Sequence, residues 1–338
     1  MEQGGVESVV CDLNRVVAGA GWRSIVISKG GHLAERIEAA GGRHVAVDLK
    51  SKNPLTYFSR AMMLRRKLRE LAAEDAKLLV CAHSRVPAWL FVWANRALGL
   101  PWITYAHGAN SVSRYSAVMT RGDLVVAPSR FLAEFLQENY GSVVADRIRV
   151  VSPCVDLDRF DPEKLDGEFV EEKRREWGIG AGSFVTMSVG RVSPVKGLAN
   201  VIRDFAASRR SQGKLVIVGG ADARHAGHLG ELKALARELG VEGSVVFAGA
   251  QSKVPECLSL ADEVVCGNTE KPESFGLSVV ESLAMGKPVR LLRRFGGAAE
   301  ILSAVAESGL RDSREAVRSL YGFDTFAGNT LKVYQEMV

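Results

Sequence analysis

The chain has 338 residues, of which 47% are hydrophobic and 25% are charged, and its formal net charge is +5. This composition is ordinary for a globular protein with two well-formed cores, so it does not select a function. The five cysteines form no close-spaced pair, which argues against a zinc site or a disulfide framework. A reducing, cytoplasmic setting is therefore expected.

The most apolar stretch, residues 89–105, is interrupted by Asn95, Arg96 and Pro101. These interruptions make it unsuited to cross a bilayer. No signal-peptide pattern precedes Gly4. The sequence thus predicts a soluble protein.

Apolar runs alternate with segments of helical spacing along almost the whole chain. In the first half, strands are predicted near 23–28, 44–48, 77–82, 102–106, 123–127 and 147–151. In the second half, they are predicted near 184–189, 214–218, 244–248, 262–266 and 288–292. Because helical stretches separate most of these strands, we predict an α/β protein with two parallel, doubly wound sheets.

The stretch 157–182 is the most charged and least regular, and a linker is predicted near 152–165. Residues 1–153 then form an N-terminal Rossmann-like domain, and residues 154–323 form a C-terminal one. The last segment, 324–338, has helical spacing and is expected to return to the first domain. We expect a ligand to bind in the cleft between the two domains.

Two carboxylates, Glu273 and Glu281, flank a predicted loop-to-helix junction in the second half. Residues 276–285 carry an apolar stripe and are followed by Gly286 and Pro288, which are typical of a helix end. The first-turn N–H groups of such a helix and its dipole favour a phosphate. A phosphate beside two hydroxyl-binding carboxylates is the arrangement that a nucleotide sugar requires.

Two cations follow the apolar strand predicted at 184–189. Arg191 and Lys196 lie on the turn after it, at the carboxyl edge where open α/β sheets bind ligands. They suit a leaving diphosphate, whose charge grows as a glycosidic bond breaks. A second apolar strand ends at Gly219 and Gly220, where the backbone must approach a neighbour closely.

Taken together, these motifs resemble the retaining GT-B glycosyltransferases of group 1, or family 4. The resemblance rests on Arg191 and Lys196 with four residues between them, on Pro272-Glu273 with Phe275-Gly276 and Glu281, and on Gly286-Lys287-Pro288-Val289 with Gly296-Gly297. In the first half, it includes Gly4-Gly5, His107-Gly108 and the predicted interdomain crossing at Val155-Asp156. The family has a GT-B fold, with two Rossmann-like domains that face a cleft.

The resemblance implies a role for each matched residue. Catalysis would involve Glu273, His107, Arg191 and Lys196. The donor would contact Arg191, Lys196, Gly219, Glu273, Phe275, Gly276, Leu277 and Glu281. The acceptor side would include Gly4, Gly5, Ser84, Arg85 and Gly108. No metal or other cofactor is implied, because the two cations would stabilise the diphosphate.

The chain departs from the family pattern at its start and at the crossing. Only three residues precede Gly4, so the first strand of the N-terminal domain is expected to be missing. Pro153-Cys154 also stands where the family more often has a glycine. Asp156 and Asp158 imitate the Asp-x-Asp metal motif of another glycosyltransferase fold, but capping or ion pairing is the expected role.

The expected reaction moves a hexose from a nucleoside-diphosphate sugar to a hydroxyl of a glycan or glycolipid acceptor. Residues 83–89 and 114–116 resemble enzymes that build bacterial lipopolysaccharide core. Two alternatives remain open at this stage. One is a nucleotide-sugar epimerase of the same architecture, and the other is a degenerate partner protein that binds the nucleotide sugar without turnover.

Residues 59–71 combine five cationic side chains, from Arg60 to Arg69, with an apolar stripe that includes Met62 and Met63. Lys50 and Lys52 precede this stretch. As a helix it is either an ordinary amphipathic element or a peripheral contact with anionic lipid at the inner face of the plasma membrane. Nucleic acid is not an expected partner, because aromatic side chains are not interleaved with the basic ones.

Overall fold

The computed structural model describes residues 5–49, 56–75, 77–208, 212–221 and 225–338. The chain folds into two compact units. Unit 1 comprises Met1–Cys154 and Asp324–Val338, and unit 2 comprises Val155–Phe323. The domain boundaries predicted from the sequence lie after residues 153 and 323.

Unit 1 contains six α-helices and six strands among its described residues. The helices are α1 (Gly5–Gly19), α2 (Leu33–Ala39), α3 (Tyr57–Glu74), α4 (Arg85–Asn95), α5 (Arg130–Tyr140) and α13 (Phe323–Gln335, which starts at the last residue of unit 2). The strands are β1 (Ile25–Ser28), β2 (Arg43–Ala46), β3 (Val80–Ala82), β4 (Trp102–Tyr105), β5 (Leu124–Ala127) and β6 (Ile148–Val150). Each strand predicted in this half is confirmed to within three residues.

The strands of unit 1 form two parallel sheets, not the single sheet that was predicted. One has the order β1-β2 and the other the order β3-β4-β5-β6. Ile27 of β1 and Val80 of β3 nevertheless pack against the same apolar cluster, which contains Leu64 and Phe91. Within the described residues, β1 and β3 each pair with one neighbour only. The strand expected to be missing before Gly4 falls on residues 1–4, which lie outside the described residues.

The C-terminal helix α13 packs within unit 1. The Tyr105 hydroxyl donates to the Tyr334 hydroxyl at 2.9 Å, and both rings are buried. Arg149 forms an ion pair with Glu336, with 2.7 Å between Nη2 and Oε2. The buried tyrosine pair ties the helix to the centre of the sheet, because Tyr105 is the last residue of β4.

Unit 2 contains seven α-helices and five strands among its described residues. The helices are α6 (Gly167–Glu176), α7 (Leu198–Ser208), α8 (Ala226–Glu238), α9 (Val254–Ser259), α10 (Leu277–Ala284), α11 (Gly296–Glu307) and α12 (Ser313–Tyr321). The strands are β7 (Phe184–Val189), β8 (Gly213–Val218), β9 (Val245–Gly249), β10 (Glu263–Cys266) and β11 (Val289–Leu291). Both the strands and the α10 helix are confirmed close to their predicted bounds.

The sheet of unit 2 is parallel throughout, with the order β11-β10-β7-β8-β9. Both faces of the sheet are covered, because successive side chains of β8 pack alternately against helices on one face and on the other. Leu215 and Ile217 pack with α7 and α8 on one face, while Val216 and Val218 pack with α9 and α10 on the other. A strand buried on both faces reads as a continuous apolar run, which explains why these strands were predicted well.

The strand order of unit 2 reverses direction between β7 and β10. The chain proceeds from β7 to β8 and β9 on one side, and then returns to β10 and β11 on the other. In open α/β sheets, such a switch point leaves a crevice at the carboxyl ends of the two strands, where ligands bind. The loops that follow Val189 and Cys266 therefore face each other.

Helix α3 is amphipathic, but its exposed side is partly apolar. Leu64, Leu68 and Leu71 are buried, whereas Met62 is 46% exposed and Met63 is 38% exposed. The two methionines of the predicted apolar stripe thus lie on the exposed side of the helix. Lys50 and Lys52 lie outside the described residues. In the part of the chain that the structure describes, no helix has both the length and the apolar character needed to span a membrane.

Candidate functional site: a switch-point recess in unit 2

Two loops meet at the switch point because glycines let their backbones touch. Gly197 has a φ of 61°, and a Cβ added there would lie 2.0 Å from the carbonyl oxygen of Gly267. Gly219 has a φ of 158°, and a Cβ there would lie 1.9 Å from the oxygen of Gly190. Both conformations disfavour a side chain, so glycine is required for this close approach. The close backbone approach predicted at Gly219 is thus made to the loop that follows β7, and its contact with the donor stays a prediction.

Two asparagines lock the same loops together. The Asn268 amide donates to the carbonyl oxygen of Val195 at 2.7 Å, and its side chain is buried. The Asn200 amide donates to the Thr269 hydroxyl at 2.8 Å. Sequence reasoning missed both residues, because a lone asparagine gives no signal of which distant segment it bonds.

Lys196 and Glu273 form an ion pair across the recess between these loops. The recess is lined by both side chains and by Gly190, Asn268 and Ser278. Sequence analysis assigned Lys196 to the diphosphate and Glu273 to the sugar, without expecting them to pair. The contact brings the two predicted motifs, which lie 77 residues apart, into one site.

Glu281 lies about one and a half turns into α10. Its carboxyl interacts electrostatically with Lys196 and with Arg159. Burial raises the pKa of its carboxyl to about 7, although Arg159 and Lys196 act in the opposite direction. Arg159 was not predicted as a site residue. It follows the Asp156 loop, where the Oδ1 atom of Asp156 accepts from the N–H groups of Asp158 and Arg159 at 3.2 and 3.1 Å. The expected capping role of Asp156 is therefore confirmed.

The amino end of α10 opens at Gly276, which has a φ of 118° and no side chain to cap the helix. The start of α11 presses against the preceding loop. A Cβ on Gly297 would lie 2.5 Å from the oxygen of Ser274, and the Gly297 N–H donates to the oxygen of Glu273 at 2.8 Å. This contact fixes the loop that carries Glu273 and leaves the first-turn N–H groups of Gly276 and Leu277 for a ligand.

Two other predicted donor residues have different surroundings. The Phe275 side chain is only 7% exposed and packs edge-on against Tyr321, with ring centroids 5.6 Å apart. The ring thus anchors the loop in the core, and the contact of Phe275 with the donor stays a prediction. Arg191 is exposed, and no hydrogen bond or ion pair to it is found among the described residues. Its guanidinium is thus available beside the recess.

The predicted acceptor-side residues belong to unit 1. Arg85 is the first residue of α4, and its Nη1 donates to the Ser116 hydroxyl at 3.1 Å, while exposed Ser84 precedes it. His107 and Gly108 follow β4, and Nε2 of His107 lies 3.0 Å from Nδ1 of His83. The predicted residues around 84 and 107 are thus neighbours.

The two remaining acceptor-side residues lie at the start of the chain. Gly5 is the first residue of α1 and is exposed. Gly4 lies outside the described residues. Across the described ranges, no three His, Cys, Asp or Glu side chains are grouped closely enough to hold a metal ion.

Two family profiles match the chain, one for each unit. The profile described as "Glycosyltransferase Family 4" matches residues 3–159, and the one described as "Glycosyl transferases group 1" matches residues 169–310. The chain belongs to the group 1 glycosyltransferase family. The predicted motif residues, from Arg191 through Gly297, fall inside the second match.

Curated relatives of this family member act on different acceptors. A D-inositol 3-phosphate glycosyltransferase of Acidothermus cellulolyticus is 34% identical over 280 residues, which cover 71% of this chain and 60% of the relative. An alpha-monoglucosyldiacylglycerol synthase of Streptococcus pneumoniae is 30% identical over 219 residues, which cover 59% of this chain and 48% of the relative. The chain thus matches roughly half of the length of these relatives.

Among solved structures, Anabaena HepE in complex with UDP and glucose superposes with a TM-score of 0.80 at 19% identity, covering 99% of this chain and 96% of that one. At this identity the likeness concerns the fold. The family member therefore has the GT-B fold, built from two Rossmann-like α/β domains, as the sequence predicted.

Proposed function

We propose that the protein is a retaining glycosyltransferase that moves a hexose from a nucleoside-diphosphate sugar to an acceptor hydroxyl. The observation that carries the proposal is the switch-point recess of unit 2. It is lined by Lys196 and Glu273 and by Ser278 of α10, whose amino end has no side-chain cap. Glu281 of the same helix interacts electrostatically with Lys196, and exposed Arg191 follows Gly190 of the lining. Family membership and the UDP bound to HepE support the same donor class.

The chemistry follows from the charges. The bond between the sugar C1 and the phosphate oxygen breaks, and the acceptor oxygen bonds to C1 on the same face. Arg191, Lys196 and the N–H groups at the start of α10 would stabilise the negative charge that develops on the leaving diphosphate. The acceptor proton would pass to a leaving phosphate oxygen, so a separate general base is not required.

The carboxylates and His107 would serve substrate positioning. Glu281 would accept hydrogen bonds from the ribose hydroxyls, and Glu273 would contact the transferred sugar. We also assign to His107 of unit 1 a contact with that sugar. Glu273 would then exchange part of its contact with Lys196 for sugar hydroxyls as the diphosphate enters. We further propose that the reaction needs no divalent cation, because the cationic side chains would neutralise the diphosphate themselves.

The acceptor that we propose is a cell-envelope glycolipid or polysaccharide at a membrane surface. The alpha-monoglucosyldiacylglycerol synthase relative supports a lipid-linked acceptor. On unit 1, Phe58 is 60% exposed and Trp93 is 42% exposed, and their rings meet edge to face at 6.0 Å. Exposed Arg66 and Arg69 lie on the same helix as Phe58. Aromatic side chains flanked by arginines suit the interface of anionic lipid.

The reaction itself is tested by a transfer assay. The donor is chosen by a thermal-shift screen with UDP, GDP and ADP, and the matching nucleotide sugar is incubated with and without diacylglycerol or inositol 3-phosphate. We expect release of the nucleoside diphosphate to require an acceptor, and the product to keep the anomeric configuration of the donor by NMR. Addition of EDTA should leave the rate unchanged.

Other outcomes would assign the protein differently. Conversion of the nucleotide sugar to an epimer without any acceptor would make it an epimerase. Binding of the nucleotide sugar with no turnover for any acceptor would make it a non-catalytic binding protein. An inverted product anomer, or loss of activity in EDTA, would contradict the proposed mechanism.

A further inference from the structure

A histidine that the motif analysis did not assign lies against His107 in unit 1. His83 follows β3, and His107 follows the neighbouring strand β4. Parallel neighbours end at the same edge of a sheet, which brings the two rings together. Nδ1 of His83 lies 3.0 Å from Nε2 of His107, a normal hydrogen-bond distance.

The His83 ring is fixed from its other side. It stacks on Tyr105, with ring centroids 4.5 Å apart and an interplanar angle of 23°. The Tyr105 hydroxyl is in turn bonded to Tyr334 of α13 at 2.9 Å, and the Cys81 thiol lies 3.5 Å from the same Tyr334 hydroxyl. The position of His83 is thus set by a buried aromatic network, and not by solvent.

Both imidazoles are neutral near pH 7. Burial lowers the pKa of His107 to about 4, and burial together with the adjacent His107 ring lowers the pKa of His83 well below its usual value. A hydrogen bond between two neutral imidazoles contains one proton, so one ring donates and the other accepts. The tautomer of each ring therefore depends on the other.

We propose that His83 is a positioning residue, which fixes the ring orientation and the tautomer of His107 so that the Nδ1 atom of His107 faces the sugar with a defined donor or acceptor character. The proposal rests on the glycosyltransferase function proposed above, in which His107 contacts the transferred sugar. Among the described residues, no second hydrogen bond to the His107 ring is found. The bond from His83 is thus the contact that orders it.

Two substitutions separate this role from simple packing. His83→Phe keeps an aromatic ring to stack on Tyr105 but removes the nitrogen that bonds His107. His83→Asn loses the ring but places an amide near the position of Nδ1, where it can donate or accept. If the hydrogen bond matters, the asparagine variant retains the function and the phenylalanine variant loses it. If only packing matters, the ranking is reversed.

The experiment measures transfer kinetics and the tautomer of His107 together. With the nucleotide sugar identified by thermal shift, we expect His83→Phe to lower kcat by about 10-fold or more, the worth of one hydrogen bond, with KM for the donor changed less than threefold. His83→Asn should recover most of the loss. Long-range ¹H–¹⁵N spectra should show one fixed His107 tautomer in wild type and a mixture in His83→Phe, with His107→Asn providing the assignment.

The two readouts distinguish the failure of this inference from the failure of the proposed function. If the wild type transfers sugar but His83→Phe is as active as wild type and His83→Asn is worse, His83 is a packing residue and the inference is overturned. The NMR measurement needs no substrate. An unchanged His107 tautomer in His83→Phe would overturn the inference, whether or not transfer activity is found.

Discussion

The Lys196–Glu273 ion pair is the central contact at the scale of single residues. Both side chains are about one quarter exposed, at 27% and 23%, so the pair is neither fully screened nor fully desolvated. A diphosphate that enters the recess would offer Lys196 more charge than one carboxylate does. The pair therefore keeps both side chains oriented toward the recess before the donor binds.

Glu281 gives a pH-dependent prediction. Its folded-state pKa of about 7 lies above the ordinary value of 4.5, so ionisation is less favourable in the folded protein than in the unfolded chain. Stability from this group is complete below about pH 4.5 and is lost as the pH rises through 7. Relative to Glu281→Gln, wild type should lose up to about 3 kcal/mol of unfolding free energy across that window.

Urea denaturation of the ligand-free protein at pH 4.5, 6 and 8 measures this difference. Exposed Glu238, on α8 of the same unit, provides the matched control as Glu238→Gln. That variant should follow the wild type at every pH. A constant difference between wild type and Glu281→Gln from pH 4.5 to 8 would show that the carboxyl is not buried.

Sequence reasoning found the charged site residues but not what holds them. Glu273, Glu281, Arg191 and Lys196 stand in a motif with fixed spacing, which a single sequence reveals. The pairing of His83 with His107 depends on which strands are neighbours, and that is not encoded locally. The burial of the Phe275 ring was also not predicted, since a residue inside a motif can serve either the ligand or the core.

At the scale of secondary structure, the prediction succeeded best for the central strands of unit 2, which are buried on both faces. β8 contains the continuous apolar run 215–218, while β7 is mostly apolar with buried Thr186 and Ser188, and a glycine follows the end of each strand. The order of the strands in unit 1 was not predicted, because the sequence of β1 or β3 alone does not reveal that each pairs with one neighbour only among the described residues. Helix α3 was found, but which of its apolar side chains are buried depends on its contact with α4.

Helix α3 supports a prediction about membranes. Reversing the two exposed charges, as Arg66→Glu with Arg69→Glu, should weaken sedimentation with phosphatidylglycerol-containing vesicles by about 10-fold or more, since each cation near the surface contributes about 1 kcal/mol. Phe58→Ser should also weaken it, because the exposed ring would enter the interface. Cosedimentation at low ionic strength measures both effects.

Two controls make this test specific. Reversal of two exposed charges on α8 of unit 2, Lys233→Glu with Arg237→Glu, should leave vesicle binding unchanged. Vesicles of phosphatidylcholine alone should bind wild type weakly. If all variants sediment equally with anionic vesicles, α3 is an ordinary surface helix, and the membrane contact proposed for it does not exist.

At the scale of the whole molecule, two α/β units with different tasks share one chain. Unit 2 has the features that we propose bind phosphate: a switch point, two cations and a glycine-opened helix. Unit 1 has the histidine pair and the exposed aromatic patch of Phe58 and Trp93. We propose that this division separates a donor-binding half from an acceptor-binding half. The sequence predicted the division because the two halves repeat the same alternation of strands and helices.

The central claim is that the switch-point recess of unit 2 binds the diphosphate of the donor. Isothermal titration calorimetry with nucleoside diphosphates tests this claim most directly. UDP, GDP and ADP are titrated into wild type, Lys196→Ala, Arg191→Ala and the exposed control Arg237→Ala, with folding checked by circular dichroism. We predict that one diphosphate binds wild type and the control equally, and that it binds each of the other two variants at least about 10-fold more weakly. Unchanged affinity in folded Lys196→Ala and Arg191→Ala would contradict the assignment of the switch-point recess as the donor site.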